Sequence, residues 1–106
     1  MDARRILVAN ELTSYRQTIA IVLRELHPSV EVFEVEPETV EGEVACLGPD
    51  LVICSRVTAG VREMAAHWVE LYPECKPFST FCIGGECRAM EDVQLSDLLS
   101  VCARVL

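Results

Sequence analysis

Two short apolar runs constrain the fold of this chain more than any other feature. Arg5–Ala9 is apolar after its first residue, and Leu51–Cys54 is apolar throughout. Runs of this length without polar alternation are typical of strands covered on both faces, as in a parallel sheet packed between helices. An apolar share of 51% in a chain of 106 residues fits that arrangement. The sequence therefore predicts one α/β domain over residues 1–106, with Leu51–Cys54 at the centre of its sheet.

The rest of the chain divides into segments with helix or strand patterns. The predicted elements are a helix over 15–26, an edge strand over 30–35, a short helix over 37–47, a helix over 60–72, strands over 77–83 and 86–90, and a last helix capped by Asp92 or Ser96. A capping box of Ser14 and Gln17 supports the first helix, and apolar residues at three- and four-residue steps support the one over 60–72. Gly84–Gly85 predicts a two-residue turn, so the last two strands should form an antiparallel hairpin.

The charge of the chain narrows the classes of partner. Its formal net charge is −8, and its basic residues are scattered except for Arg4 and Arg5. Nucleic acids and anionic membrane surfaces require a clustered positive surface, so neither is expected as a partner. The apolar run near the start is too short for a signal peptide or a membrane span, which predicts a cytoplasmic protein.

Six cysteines in so short a chain raise the question of disulfides. Without an export signal, reduced thiols are the expectation, with Cys46, Cys54 and Cys102 buried in the core. Cys82 and Cys87 flank the predicted turn and should face each other as two packed thiols, although their spacing also allows a redox-linked disulfide. No C-x-x-C motif is present and the two histidines lack a second ligand at metal spacing, so neither a metal site nor a cofactor is predicted.

Polar residues follow the two apolar strands and lead to a resemblance. Ile6–Glu11, the helix after it and Pro49–Ser55 resemble the receiver domain of bacterial response regulators over the first half of the chain. The resemblance implies a flavodoxin-like, doubly wound and mainly parallel sheet of five strands, here ending in the antiparallel hairpin. In that family, two acids after the first strand bind Mg²⁺ and an aspartate after the third strand accepts a phosphoryl group. A Thr or Ser after the fourth strand and a Lys after the fifth complete the switch.

By this alignment the phospho-acceptor pocket is degenerate. Asn10 and Glu11 stand where the two acids bind Mg²⁺, Ser55 stands where the aspartate is phosphorylated, and Cys82 stands in place of the Thr or Ser. Lys76, the only lysine, precedes the fourth predicted strand. An aspartyl phosphate needs a carboxylate nucleophile and a divalent cation, so the resemblance implies a pseudo-receiver with no catalytic residue.

Two functions stay open at this point. The first is a stand-alone signalling or protein-interaction module that works without phosphorylation and binds a protein partner. The alternative is a small-ligand-binding or thiol-sensing protein that uses Ser55 or the pair Cys82 and Cys87. Asn10, Glu11 and Ser55 should meet at the carboxyl edge of the sheet, either as a ligand pocket or simply bonded to one another. A homodimer is predicted from four apolar residues in the hairpin and the last helix, namely Phe78, Phe81, Val101 and Leu106.

Overall fold

A mixed β-sheet with helices on both faces forms the centre of the computed structural model, which describes residues 4–73 and 76–106. The strands are β1 (Arg5–Ala9), β2 (Glu31–Glu34), β3 (Leu51–Cys54), β4 (His67–Glu70), β5 (Phe78–Ile83) and β6 (Glu86–Glu91). The helices are α1 (Thr13–Leu26), α2 (Val40–Leu47), α3 (Ala59–Met64) and α4 (Leu95–Val105), and a 3-10 turn, Pro37–Thr39, precedes α2. The predicted α/β class is confirmed.

The strands lie in the order β2-β1-β3-β4-β5-β6. The first four are parallel, while β5 runs antiparallel to β4, and β6 runs antiparallel to β5. Because β3 lies between β1 and β4, its wholly apolar sequence is explained by burial on both faces. The predictions of a central strand at Leu51–Cys54, an edge strand near residues 31–34 and a final hairpin are confirmed.

Two apolar cores lie on opposite faces of this sheet. Alternate residues of β1 belong to different cores, with Ile6 and Val8 packing in one and Leu7 and Ala9 in the other. The first core contains the buried faces of α1 and α4, and the second contains those of α2 and α3. The helix pair α1 and α4 therefore covers one face of the sheet, which determines where the candidate site lies.

The prediction of a single helix over 60–72 is wrong, because the second half of this segment forms a strand. The helix α3 ends at Met64, and β4 then pairs in parallel with β3, with Trp68 opposite Val52 and Val69 opposite Ile53. Trp68 and Val69 are buried in different cores, which is the period of two that a strand requires. The apparent helical spacing came from apolar positions of α3 continuing by chance into β4. The sheet has six strands among the described residues instead of the predicted five.

Helix starts also differ from the predictions. The helix α1 begins at Thr13 without a side-chain cap, so the capping box predicted from Ser14 and Gln17 is absent. A capping box does occur at α4, where Gln94 and Asp97 bond reciprocally, and it replaces the predicted caps. Both differences have the same cause. Polar residues three positions apart are frequent in sequences, and tertiary packing decides which of these pairs lies at the start of a helix.

The hairpin joins β5 to β6 through Gly84 and Gly85, which have φ angles of +62° and +86°. The structure places a disulfide between Cys82 and Cys87, with the sulfurs 2.09 Å apart, so the pair of reduced thiols expected here is not what the structure contains. These residues are direct cross-strand partners two positions from the turn, which brings their Cα atoms to 3.9 Å. The turn is also held by the Gly84 N–H, which donates to Nδ1 of His67 at 2.9 Å.

Three other cysteines and the apolar residues of the last elements also had predicted positions. Cys54 and Cys102 are buried as predicted, and burial raises the pKa of each thiol to about 12. Cys46 is exposed, because it lies on the outer side of α2, so its predicted burial is wrong. Phe81 and Val101 belong to the core instead of to an exposed surface.

No helix within the described part of the chain combines the length and the apolar character needed to cross a membrane.

Candidate ligand-binding site at the carboxyl edge of the sheet

The carboxyl ends of β1 and β3 bring two of the predicted site residues together. Ala9 pairs with Cys54, so the residues that follow them leave the same edge of the sheet side by side. The Glu11 N–H donates a hydrogen bond of 2.8 Å to Oγ of Ser55. Ser55 is nearly buried, whereas Glu11 is exposed. Glu11 and Ser55 therefore lie together as predicted, and a direct hydrogen bond joins them.

Asn10 lies beside this pair but is enclosed by protein. Its side chain is 1% exposed, and Oδ1 has no hydrogen-bond partner among the described residues. The backbone oxygen of Asn10 accepts a hydrogen bond from the Arg16 guanidinium at 3.3 Å. A buried amide oxygen without a partner is costly, so Asn10 is a polar group that the fold accommodates at some expense of stability.

Arg16 is a structural centre of this edge that the sequence reasoning missed. Its guanidinium donates to the carbonyl oxygens of Asn10 and Val35, each at 3.3 Å, and to Thr13 Oγ1 and Glu36 Oε1, each at 3.4 Å. The side chain is almost completely buried, which is rare for arginine unless its donors are satisfied. The signal was available in the sequence, because Arg16 precedes Ile19, Ala20 and Leu23 at the spacing of the buried face of α1.

Cys82 is not part of this edge. It pairs with Trp68 near the start of β4, whereas Ser55 follows the end of β3. Because β5 is antiparallel to the other strands, the residue before its turn lies at the amino ends of the parallel strands. The predicted grouping of Cys82 with Asn10, Glu11 and Ser55 is therefore not present. The misread helix caused this error, since it hid β4 and made β5 seem to be the fourth strand.

A cavity of about 610 Å³ opens at the carboxyl edge, between the first turns of α1 and α4. Glu11 and Ser55 contribute to its wall, and Asn10 does not. Its apolar wall includes core residues of the α1 and α4 face, and its polar wall includes side chains of α1 as well as residues of the loops that follow the strands. The residues that line it are Glu11, Leu12, Ser14, Tyr15, Thr18, Ile19, Ser55, Leu71, Tyr72, Lys76, Pro77, Val93, Gln94, Leu95 and Leu98.

Tyr72 lines one side of the cavity, and its backbone has a conformation that is uncommon for residues other than glycine. Its φ angle is +49°, its N–H donates to Ser79 Oγ at 3.0 Å, and its hydroxyl donates to the carbonyl oxygen of Val93. Its ring centroid lies 6.0 Å from that of Tyr15 across the cavity wall. Burial raises the pKa of Tyr72, and the hydroxyl of Tyr15 and the negative charges of Asp97 and Asp92 raise it further.

A cavity with polar groups at one end and an apolar wall gives this site the parts of a binding pocket. Ser55 Oγ accepts the Glu11 N–H, and a serine hydroxyl needs a neighbouring base to become a nucleophile. Within residues 4–73 and 76–106, no three His, Cys, Asp or Glu side chains come together as a metal site would require. Polar groups at the carboxyl ends of parallel strands beside an apolar cavity are the usual setting for a small ligand.

No protein-family model matches the chain, and no curated protein or solved structure is detectably similar to it.

Proposed function

We propose that the chain is a receiver-like, flavodoxin-like module in the cytoplasm that takes part in signalling or protein interaction without being phosphorylated. The observation behind this proposal is the residue at the carboxyl end of the central strand. That residue is Ser55, and its hydroxyl oxygen accepts the Glu11 N–H at 2.8 Å. The parallel order β2-β1-β3-β4 with helices on both faces is compatible with the doubly wound arrangement that the resemblance implies.

The chemistry at this edge supports a module without phosphoryl transfer. Formation of an acyl phosphate requires a carboxylate that attacks phosphorus and a divalent cation that neutralises the phosphoryl oxygens. Ser55 supplies a hydroxyl, and Asn10 is an enclosed amide whose side chain does not reach the cavity. Glu11 alone would bind Mg²⁺ weakly, because such sites normally combine carboxylates with phosphate oxygens and waters.

Because Ser55 and Asn10 stand where the receiver family has acids, the protein should not accept a phosphoryl group. Incubation with acetyl phosphate and Mg²⁺ is expected to leave the intact mass of the protein unchanged. The variant Ser55→Asp with Asn10→Asp serves as the comparison, because it restores a carboxylate at both positions. An added phosphoryl mass on the unaltered protein that disappears in Ser55→Ala would contradict the proposal.

The interaction role predicts a protein partner in the native cell. Affinity purification of the tagged chain should recover the same partner with the unaltered protein and with Ser55→Ala, because the interaction does not depend on a modified Ser55. Loss of the partner in Ser55→Ala would show that this hydroxyl controls the interaction and would contradict a phosphorylation-independent module.

A second candidate function, small-ligand binding, is favoured by the cavity at the same edge. Its volume of about 610 Å³ lies within the range of roughly 300–1,000 Å³ that small-molecule sites occupy. Ser55 belongs to this candidate, whereas Cys82 and Cys87 lie at the other end of the sheet. Ligand binding and thiol sensing would therefore be separate properties of the molecule.

A further inference from the structure

We propose that the cavity binds a small organic cation, a primary amine with an apolar or aromatic body, whose head group is held by Glu11 and Ser55. The inference rests on the second candidate function and names the class of ligand. It follows from three features of the cavity: its acceptor groups, its apolar wall and the charge around it.

The two residues that supply acceptors are joined in the cavity wall by the bond from the Glu11 N–H to Ser55 Oγ. A hydroxyl oxygen has two lone pairs, and the Glu11 N–H uses one of them at Ser55, so a ligand donor would bind to the second. The side chain of Glu11 supplies carboxylate oxygens, which are hydrogen-bond acceptors. Both residues line the cavity. An ammonium group has three donors and no acceptor, so it matches this pair better than a carboxylate or an ether would.

The apolar wall provides a place for the body of the ligand. Ile19, Leu71 and Leu98 belong to the core and form part of the cavity wall. The rings of Tyr15 and Tyr72 line the same space with their centroids 6.0 Å apart. Aromatic faces attract organic cations, so these rings can contact either the apolar body or the charged head group.

The charge around the cavity also favours a cation. The carboxylates of Asp92 and Asp97 are close enough to Tyr72 to disfavour its ionised form, which places negative charge on the α4 side of the wall. The chain as a whole has a net charge of −8. Lys76 lies on the cavity wall and opposes this field, and its ammonium is 5.8 Å from the ring centroid of Phe78. An anionic ligand bound by Lys76 is the competing outcome that the experiment must separate.

The experiment compares three phenylalkyl probes of similar size with different head groups: 2-phenylethylamine, 2-phenylethanol and 3-phenylpropionate. Each is titrated into the ¹⁵N-labelled full chain, and amide shifts report both affinity and location. Probes this small bind at millimolar concentrations when they bind at all, so titration to about 10 mM is needed. The amine is expected to bind about tenfold more tightly than 3-phenylpropionate, with shifts at the first turns of α1 and α4.

Matched variants test whether Glu11 causes the preference for a positively charged head group. Glu11→Gln is expected to reduce the affinity for the amine to that for the alcohol, while Glu63→Gln, which removes an equal charge from α3 on the other face of the sheet, should leave it unchanged. Thr18→Trp adds bulk at an exposed cavity position of α1 and should weaken all three probes.

Several outcomes would overturn the inference. These are equal binding of amine and carboxylate, equal effects of Glu11→Gln and Glu63→Gln, or no binding by any probe. None of these outcomes changes the acetyl phosphate result. Conversely, uptake of a phosphoryl group by the unaltered protein would defeat the signalling proposal whatever the probes do, so the two failures can be told apart.

Discussion

At the scale of single residues, Arg16 organises the edge that carries the site. Its guanidinium satisfies the carbonyl oxygens of Asn10 and Val35, which follow β1 and β2 respectively. The bond to Asn10 fixes the backbone directly before Glu11, whose N–H donates to Ser55 after β3. A planar group with five donors can serve several acceptors in one plane, which a lysine cannot do. Arg16 is therefore a positioning residue for the site, and it acts through the backbone.

Replacement of Arg16 should test this role. Arg16→Met is expected to lower the free energy of unfolding by about 2–4 kcal/mol, because it leaves carbonyl oxygens buried without donors. Arg16→Lys should fall between Arg16→Met and the unaltered protein. The control is Arg104→Met, an exposed position of α4, which should change stability by less than about 0.5 kcal/mol. Urea denaturation measures all three, and equal stabilities of Arg16→Met and Arg104→Met would show that the buried bonds contribute little.

The residues of the site differ in how well the sequence predicts them. Glu11 and Ser55 were predictable because each follows an apolar strand, and adjacent parallel strands end at one edge. Arg16 was missed because a charged side chain on a buried helix face looks like an interruption of the pattern. Tyr72 was missed as a cavity residue because it was assigned to a helix, and its contacts with Ser79 and Val93 join segments that no local pattern relates.

At the scale of elements, the final hairpin is the feature whose local sequence decides its geometry. Gly84 and Gly85 both have positive φ angles, which is the requirement of a two-residue turn between twisted antiparallel strands. The strand β4 shows the opposite case. Its four residues gave no decisive pattern, and its pairing with β3 and β5 determines its conformation. Short buried strands are generally recognisable only through their neighbours.

Glycine-to-alanine substitutions should separate turn geometry from packing. A Cβ atom at Gly42, Gly84 or Gly85 would meet no neighbouring atom within 4 Å, so space is not limiting at any of them. Gly84→Ala and Gly85→Ala should each destabilise the protein by about 1 kcal/mol, because alanine disfavours positive φ. Gly42→Ala, inside α2, should instead stabilise it by up to about 1 kcal/mol. Thermal denaturation of the three variants would contradict this reasoning if all shifts had the same sign.

At the scale of the whole molecule, the arrangement of the sheet leaves one edge uncovered. All six residues of β6 are exposed, so neither helix layer extends over this strand. The strand contains Glu86, Arg88 and Glu91, so a strand that pairs with this edge has to place opposite charges against them. Two of the four residues that supported the predicted homodimer, Phe81 and Val101, are buried in the core and cannot form an interface. Phe78 is 38% exposed and lies beside this edge.

The homodimer remains a prediction, now through the free edge of β6. Sedimentation at high micromolar concentration should show a dimer of the unaltered protein. Cys82 and Cys87 form a narrow, non-hydrogen-bonded pair with Cα atoms 3.9 Å apart, so the Cys87 N–H points away from β5. The N–H of Ala89, two positions further along β6, points the same way. Ala89→Pro should therefore produce monomers while β5 and β6 stay paired. A monomer at every concentration for the unaltered protein would end this prediction.

The position of the cavity between α1 and α4 has a consequence for how the chain holds together. These helices are distant in sequence and contribute opposite walls of one space. A molecule bound there would act as a removable crosslink that ties an early segment of the polymer to a late one. Its release would leave each helix held only by its own packing against the sheet, with every strand pairing unchanged. Occupancy would then be read most directly in amide hydrogen exchange of α4, where local opening is the event that a crosslink suppresses.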